Sequence, residues 1–74
     1  MVVEVRLFAS FREGRFKEKE LELPEGSLLG DLLTQLKIEQ KDAKITIVNG
    51  TSVSAGHKLA EHDVIAIFPP IAGG

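Results

Sequence analysis

Val64-Ile65-Ala66-Ile67-Phe68-Pro69-Pro70-Ile71-Ala72-Gly73-Gly74 closes the chain, and its two halves obey different physics. Val64 to Phe68 is apolar and β-branched, the composition of a central strand. Pro69 and Pro70 then stop that strand, because proline fixes φ and has no N–H to extend a ladder. The pair favours a polyproline II path, on which Pro69 to Gly74 reaches on the order of 18 Å from the body. Gly73 and Gly74 have no side chains, so the walls of another protein can approach the main chain closely. A terminal α-carboxylate has a reference pKa of about 3.3–3.7 and is ionised at neutral pH. A stiff spacer, a slender tip and a carboxylate together suit threading into a partner's active site. The expectation is a folded platform over residues 1–68 and an extended reactive tail over 69–74. A Gly-Gly ending alone is weak, since many termini are small and unstructured. The weight lies in its following directly on an apolar strand, with no polar linker.

Composition narrows what the platform can do. At 74 residues it is one domain, and a chain of this size buries only about 60% of its unfolded surface. There is no cysteine, so disulfides, thiolate metal sites and a cysteine nucleophile are excluded. Any sulfur chemistry has to use another group, of which the C-terminal carboxylate is the obvious one. The net charge is −2, without the basic stripe of a nucleic-acid binder. No apolar run is long enough to span a membrane, and Glu4 and Arg6 interrupt what would be a signal peptide's apolar core. A cytoplasmic protein is the default expectation.

Working back from the closing stretch, alternation over Val2 to Ala9 predicts a first strand with Val3, Val5, Leu7 and Ala9 on one face. Phe8 falls on the other face, with Glu4 and Arg6. Ser10 to Arg15 reads as a polar loop, and Phe16 to Leu23 as a second strand, antiparallel to the first, with Leu21 and Leu23 inward. Its charged run, Lys17-Glu18-Lys19-Glu20, suits a solvated edge strand. Ser27 is the expected cap of a helix ending near Lys37, with Asp31 favourable in its first turns. Leu29, Leu32, Leu33 and Leu36 form its apolar stripe, which Leu28 widens. Gly30 costs this helix up to about 1 kcal/mol relative to alanine, and a close approach to the sheet would account for it. Ile38 to Ala43 is a connection. Lys44 to Val48 reads as a third strand with Ile45 and Ile47 inward, in a register that periodicity leaves open. Asn49-Gly50 is a hairpin turn, since both residues tolerate positive φ. Thr51 to Val53 returns, and Gly56 to Asp63 is a loop with one helical turn over Lys58 to Glu61.

This order predicts an α+β fold of the β-grasp (ubiquitin-like) type, a mixed sheet of about five strands with one main helix on one face. First and last strands become parallel neighbours at its centre. Phe8, Ala66 and Phe68 then share the uncovered face, an apolar patch suited to protein contact beside the tail.

The chain lacks the parts of a complete active site. There is no phosphate-binding loop: the glycines between Gly50 and Lys58 are wrongly spaced. His57 and His62 with Glu61 or Asp63 read as solvated loop residues more readily than as metal ligands, and no metal is expected. Ser27, Ser52 and Ser54 lack evident triad partners, and Glu61 and Asp63 do not make an acid–base pair.

The chain resembles the ubiquitin-like sulfur-carrier family (MoaD/ThiS-like), and within it the small subunit of molybdopterin synthase. The matching residues are Val5-Arg6-Leu7-Phe8-Ala9 with Arg12-Glu13, Gly26-Ser27 before Asp31-Leu32-Leu33, Val48-Asn49-Gly50, and Phe68-Pro69-Pro70-Ile71-Ala72-Gly73-Gly74. The double proline favours the molybdopterin branch. The resemblance implies a carrier without its own active site or bound cofactor. An E1-like adenylating enzyme, using ATP and Mg, converts the Gly74 carboxylate to an acyl-adenylate. Sulfur from a persulfide protein or sulfide then gives a thiocarboxylate. A larger synthase subunit accepts the tail, and the sulfur passes to a pyranopterin precursor of the molybdenum or tungsten cofactor. Gly73 and Gly74 are then the reactive end, and Phe8, Ala66, Phe68, Pro69, Pro70, Ile71 and Ala72 the partner-binding residues. A carrier for thiamine thiazole or another thiolation route, a ubiquitin-like modifier joined to lysine, and a docking module without chemistry remain as alternatives.

Overall fold

The computed structural model of the chain describes residues 1–70. Five strands, β1 (Val2–Leu7), β2 (Glu18–Glu22), β3 (Ile45–Val48), β4 (Thr51–Ser52) and β5 (Val64–Phe68), form one sheet in the order β2-β1-β5-β3-β4. β1 and β5 run parallel at its centre, and every other pairing is antiparallel. One helix, α1 (Leu29–Gln35), covers one face. This is a β-grasp fold, as the order of elements predicts.

The core lies between that face and the helix. Val3, Val5 and Leu7 from β1, Ile65 and Ile67 from β5 and Val48 from β3 meet Leu29, Leu32 and Leu33 of α1, with Leu23, Ile38 and Leu59 closing the sides. Fully burying each Leu or Ile side chain is worth roughly 1.5–3 kcal/mol, which is how so short a helix is held. The central position of β5 follows from its composition: Ile65 and Ile67 are completely buried.

Several expectations change. β1 stops at Leu7 rather than Ala9. Ala9 takes a left-handed φ of 53° and starts a 3-10 turn, Ala9–Arg12, that folds Phe11 into the core. The polar reading of Ser10 to Arg15 gave no role to that ring. β2 is shorter than expected but is an edge strand, with Glu18, Lys19, Glu20 and Glu22 in solvent and Leu23 buried just beyond its end. Leu21 is only half-buried.

Ser27 does not cap α1. Its hydroxyl donates to the Pro24 carbonyl at 2.7 Å, closing the preceding turn. Leu28 is the cap position, and its N–H donates to the Asp31 carboxylate at 2.8 Å. Leu28 itself is exposed and adds nothing to the buried stripe. Past the helix end, Lys37 turns at φ 62°. The Arg15 guanidinium donates from Nε to the Leu36 carbonyl (3.0 Å) and from Nη2 to that of Lys37 (3.2 Å), a cation where the helix dipole is negative.

Gly30 faces a loop, not the sheet. A Cβ there would sit 3.3 Å from the Ala55 carbonyl oxygen and 3.0 Å from Gln40 Nε2. The loop is drawn close because the Gly30 N–H donates to Ala55 O and the Leu29 N–H to His57 O, both at 2.8 Å. These bonds, with a Leu28–Lys58 bridge, hold the segment that follows the Ala55-Gly56 turn against the start of the helix, and no helical turn forms at Lys58 to Glu61.

β3 has the opposite register to the expected one. Thr46 and Val48 face the core, while Ile45 is 44% exposed. Pairing with β5 decides this, since Thr46 sits opposite Ile67 and Val48 opposite Ile65, the two core residues of that strand. The Thr46 hydroxyl is satisfied by donating to the Val53 carbonyl at 2.5 Å.

Candidate functional site

The sheet face away from α1 is built by alternation. The residues of β1 and β5 that are not core residues are Val2, Glu4 and Arg6 on one strand, with Phe8 following just past its end, and Val64, Ala66 and Phe68 on the other. Parallel pairing sets Arg6 beside Ala66. One step on, where both strands end, the Phe8 and Phe68 rings stack with centroids 4.2 Å apart and planes 10° from parallel. Antiparallel pairing with β3 places Ile45 opposite Phe68 and Ile47 opposite Ala66. An apolar row, Phe8–Phe68–Ile45, therefore crosses three strands where the chain leaves the sheet, with Ala66 and Ile47 behind it.

Ile45 and Ile47 belong to this face although sequence reasoning put them inside. The signal that finds them is Thr46, whose hydroxyl has the Val53 carbonyl to satisfy it and so can turn inward. Arg12, also unassigned from sequence, stands at one end of the row. Its Nε donates to the Leu7 carbonyl at 2.7 Å, and its guanidinium carbon lies 5.2 Å from the centre of the Phe8 ring. Pro69 is half-buried and Pro70 exposed. Ile71, Ala72, Gly73 and Gly74, four of the expected tail residues, lie outside the described residues.

The far end of β5 is polar and structural. Asp63 is buried. Its Oδ1 accepts from Asn49 Nδ2 and its Oδ2 from the Ala60 N–H, both at 2.8 Å. The same Asn49 accepts the Val64 N–H at 2.9 Å and turns the hairpin at φ 51°, with Gly50 at 85°. Asp63 thus fixes where β5 begins. Glu61 accepts the Val2 N–H, and that bond, aided by His62 and the N-terminal ammonium against a smaller desolvation, holds its carboxyl below the ordinary 4.5. Among the described residues no group of three or more His, Asp or Glu side chains is gathered to hold a metal. No helix among them is long and apolar enough to cross a membrane. The clefts beside α1, such as that lined by Thr34, Ile38 and Gln40, are shallow and adjoin the helix rather than the apolar row.

A β-grasp platform with an apolar open face and a Pro-Pro exit defines a ubiquitin-like carrier protein. Residues 5–74 match the ThiS family, and the chain belongs to that family. Solved structures agree. SAMP1 from Haloferax volcanii superposes with a TM-score of 0.81 at 26% identity, over 100% of both chains. A putative molybdopterin converting factor subunit 1 from Pyrococcus furiosus does so with a TM-score of 0.75 at 33% identity, over 96% of this chain and 99% of that one. A subunit of the complex of molybdopterin-converting factor subunits 1 and 2 from Helicobacter pylori gives 0.66 at 25% identity over 100% of both chains. No curated protein sequence matches the chain. Its role is that of a sulfur carrier of the MoaD/ThiS type.

Proposed function

We propose that the carboxylate of Gly74 is the sulfur-bearing group and that the sulfur is delivered to a pyranopterin precursor in molybdopterin synthesis. The observation that supports this most is the family match running through residue 74, over an ending in which Phe68-Pro69-Pro70 precedes Gly73-Gly74. Similarity to a protein described as a molybdopterin converting factor subunit, at 33% identity over nearly the whole of both chains, favours the pyranopterin over a thiazole as acceptor.

The chemistry divides between carrier and partners. A carboxylate is a poor electrophile until one oxygen becomes a leaving group, the rationale of covalent activation. An adenylating enzyme using ATP and Mg joins the Gly74 carboxylate to AMP and releases pyrophosphate. Sulfur supplied at the sulfide level, directly or from a persulfide with a second thiol taking the remaining sulfur, displaces AMP and leaves a thiocarboxylate. The larger subunit of molybdopterin synthase then receives the tail. On this reading the platform contributes recognition through Phe8, Ala66, Phe68 and the proline arm, and Ile71 to Gly74 fill a narrow channel. These steps belong in the cytoplasm, where ATP and reduced sulfur are available.

The test is the mass of the tryptic peptide Leu59 to Gly74 after incubation with adenylating enzyme, ATP, Mg and a sulfur donor. Replacement of one oxygen by sulfur at Gly74 is the expected result, followed by its loss to a pyranopterin when the larger subunit is added. The peptide contains no methionine, so oxidation of Met1 cannot imitate the shift. An unmodified carboxylate would leave a docking module, and a lysine-linked adduct a protein modifier.

A further inference from the structure

The chain has a single asparagine, Asn49, and a glycine follows it. That dipeptide is chemically vulnerable. Glycine brings no side chain to shield its own nitrogen, and the Gly50 nitrogen is one ring closure away from the Asn49 carboxamide carbon. In the folded chain the same carboxamide is pinned. Its Nδ2 donates to Asp63 Oδ1 at 2.8 Å, and its Oδ1 accepts the Val64 N–H at 2.9 Å. The Asn49 N–H in turn donates to the Val64 carbonyl at 2.9 Å. Asn49 is exposed, so bonding rather than exclusion of water holds the group. Its anchor, Asp63, is buried and also tied to the Ala60 N–H. Asp63 and Val64 lie 14 and 15 residues further along the chain, so the pin exists only while β5 is in place.

We propose that Asn49 is a deamidation site that the fold holds shut, and that reaction there in the unfolded chain is a one-way step because its products cannot rebuild the start of β5. The Gly50 nitrogen attacks Asn49 Cγ. A C–N bond forms, the bond from Cγ to Nδ2 breaks, and ammonia leaves with the proton that the Gly50 nitrogen gives up. Water then adds to either carbonyl of the cyclic imide, and ring opening leaves aspartate or isoaspartate. Nothing is oxidised or reduced. Ring closure draws Nδ2 away from Asp63 and Oδ1 away from Val64, so both side-chain bonds have to break first. One of them is to a charged carboxylate, and together they slow the folded chain about a hundredfold relative to the unfolded one. Aspartate at position 49 has an acceptor oxygen where Nδ2 donated, so a like-charge contact with Asp63 replaces the bond. Isoaspartate carries the main chain through the side-chain carbon and lengthens the turn between the paired residues Val48 and Thr51, where loop length sets the register of the hairpin.

The experiment incubates the full chain at one temperature near neutral pH, folded in buffer and unfolded in guanidinium chloride. It follows the tryptic peptide Ile45 to Lys58 by mass and chromatography, against a digest made at the start. Asn49 is the only amide side chain in that peptide, so exchange of NH2 for OH reads this site alone, and isoaspartate elutes apart from aspartate. The folded chain should deamidate more slowly by the factor above. Asp63→Ala removes the anchor and should speed the reaction of the folded chain about tenfold. Leu33→Val, a core change on α1 that leaves the pin intact, should keep the protection. Asp63→Asn, which keeps the volume of the anchor and loses its charge, gives the same reading if Asp63→Ala does not fold. Asn49→Asp, made directly, should melt below the unaltered chain. A folded rate equal to the unfolded one would overturn the inference. So would equal rates in the Asp63 and Leu33 variants at matched stability, since global unfolding alone would then set the rate. An Asn49→Asp chain as stable as the original would overturn the one-way step.

Discussion

Asp63→Ala tests whether the start of β5 is set by a buried carboxylate. The substitution removes the acceptor of two hydrogen bonds, from Asn49 Nδ2 and from the Ala60 N–H, both 2.8 Å long. Bonds to a charged group contribute about 1.5–3 kcal/mol each, and stranded donors add to the loss. Counting both at the lower figure predicts about 3 kcal/mol of destabilisation. A domain of this length is stable by roughly 4–11 kcal/mol, so the variant still folds. Its melting temperature should fall by about 10–25 °C, since 1 kcal/mol moves a domain of this size by about 4–8 °C. The assay is urea unfolding, with the midpoint lowered and the slope unchanged. Asn49→Gly keeps the positive φ of the turn and removes the side chain, so a double-mutant cycle with Asp63→Ala isolates their coupling, expected near 1 kcal/mol or above. A loss under about 1 kcal/mol for Asp63→Ala would refute the reasoning, because it would mean water satisfies the two donors as well as the carboxylate does.

Gly30→Ala should destabilise by roughly 1 kcal/mol despite the better helix propensity of alanine, because the Ala55 carbonyl 3.3 Å from the new Cβ is backbone; a thermal melt decides the sign. Ile45→Thr should leave stability within about 0.5 kcal/mol, as at other exposed positions, and weaken binding of the larger synthase subunit in a titration, since Ile45 extends the Phe8–Phe68 row. Glu61 is held below 4.5 in the folded chain by the Val2 N–H, so its contribution is present above the unfolded value and lost as pH falls through the folded one. The stability gap between the unaltered chain and Glu61→Gln should accordingly close below pH 4.5 and be constant above it, as urea midpoints across that range would show.

What could be read from the chain in one dimension is what depends on neighbours in sequence. The apolar run Val64 to Phe68, the Asn49-Gly50 turn and the Leu29/Leu32/Leu33 stripe are local patterns, and each maps onto its element because backbone propensity and burial agree there. The exit of the chain through Pro69-Pro70 is local in the same sense. Ser27 failed as a cap because two acceptors competed for its position: the Pro24 carbonyl took the hydroxyl, and Asp31 took over capping one residue later. Phe11 was hidden in a polar loop because a single ring has no periodicity.

The composition of the open face depended on something else. Ile45-Thr46-Ile47-Val48 is apolar enough to pair either way round, and a one-residue slip exchanges its two faces. Opposite Ile67 and Ile65 of a strand already buried, the chain turns Thr46 and Val48 inward and Ile45 and Ile47 outward. Arg12 likewise reaches Phe8 only through the 3-10 turn that burying Phe11 creates. By itself the sequence determined a β-grasp platform and its Pro-Pro exit, because period, turn chemistry and proline act within a few residues. Only the tertiary structure decided which side chains surround that exit, because strand register and the packing of Phe11 are settled between segments far apart in the chain.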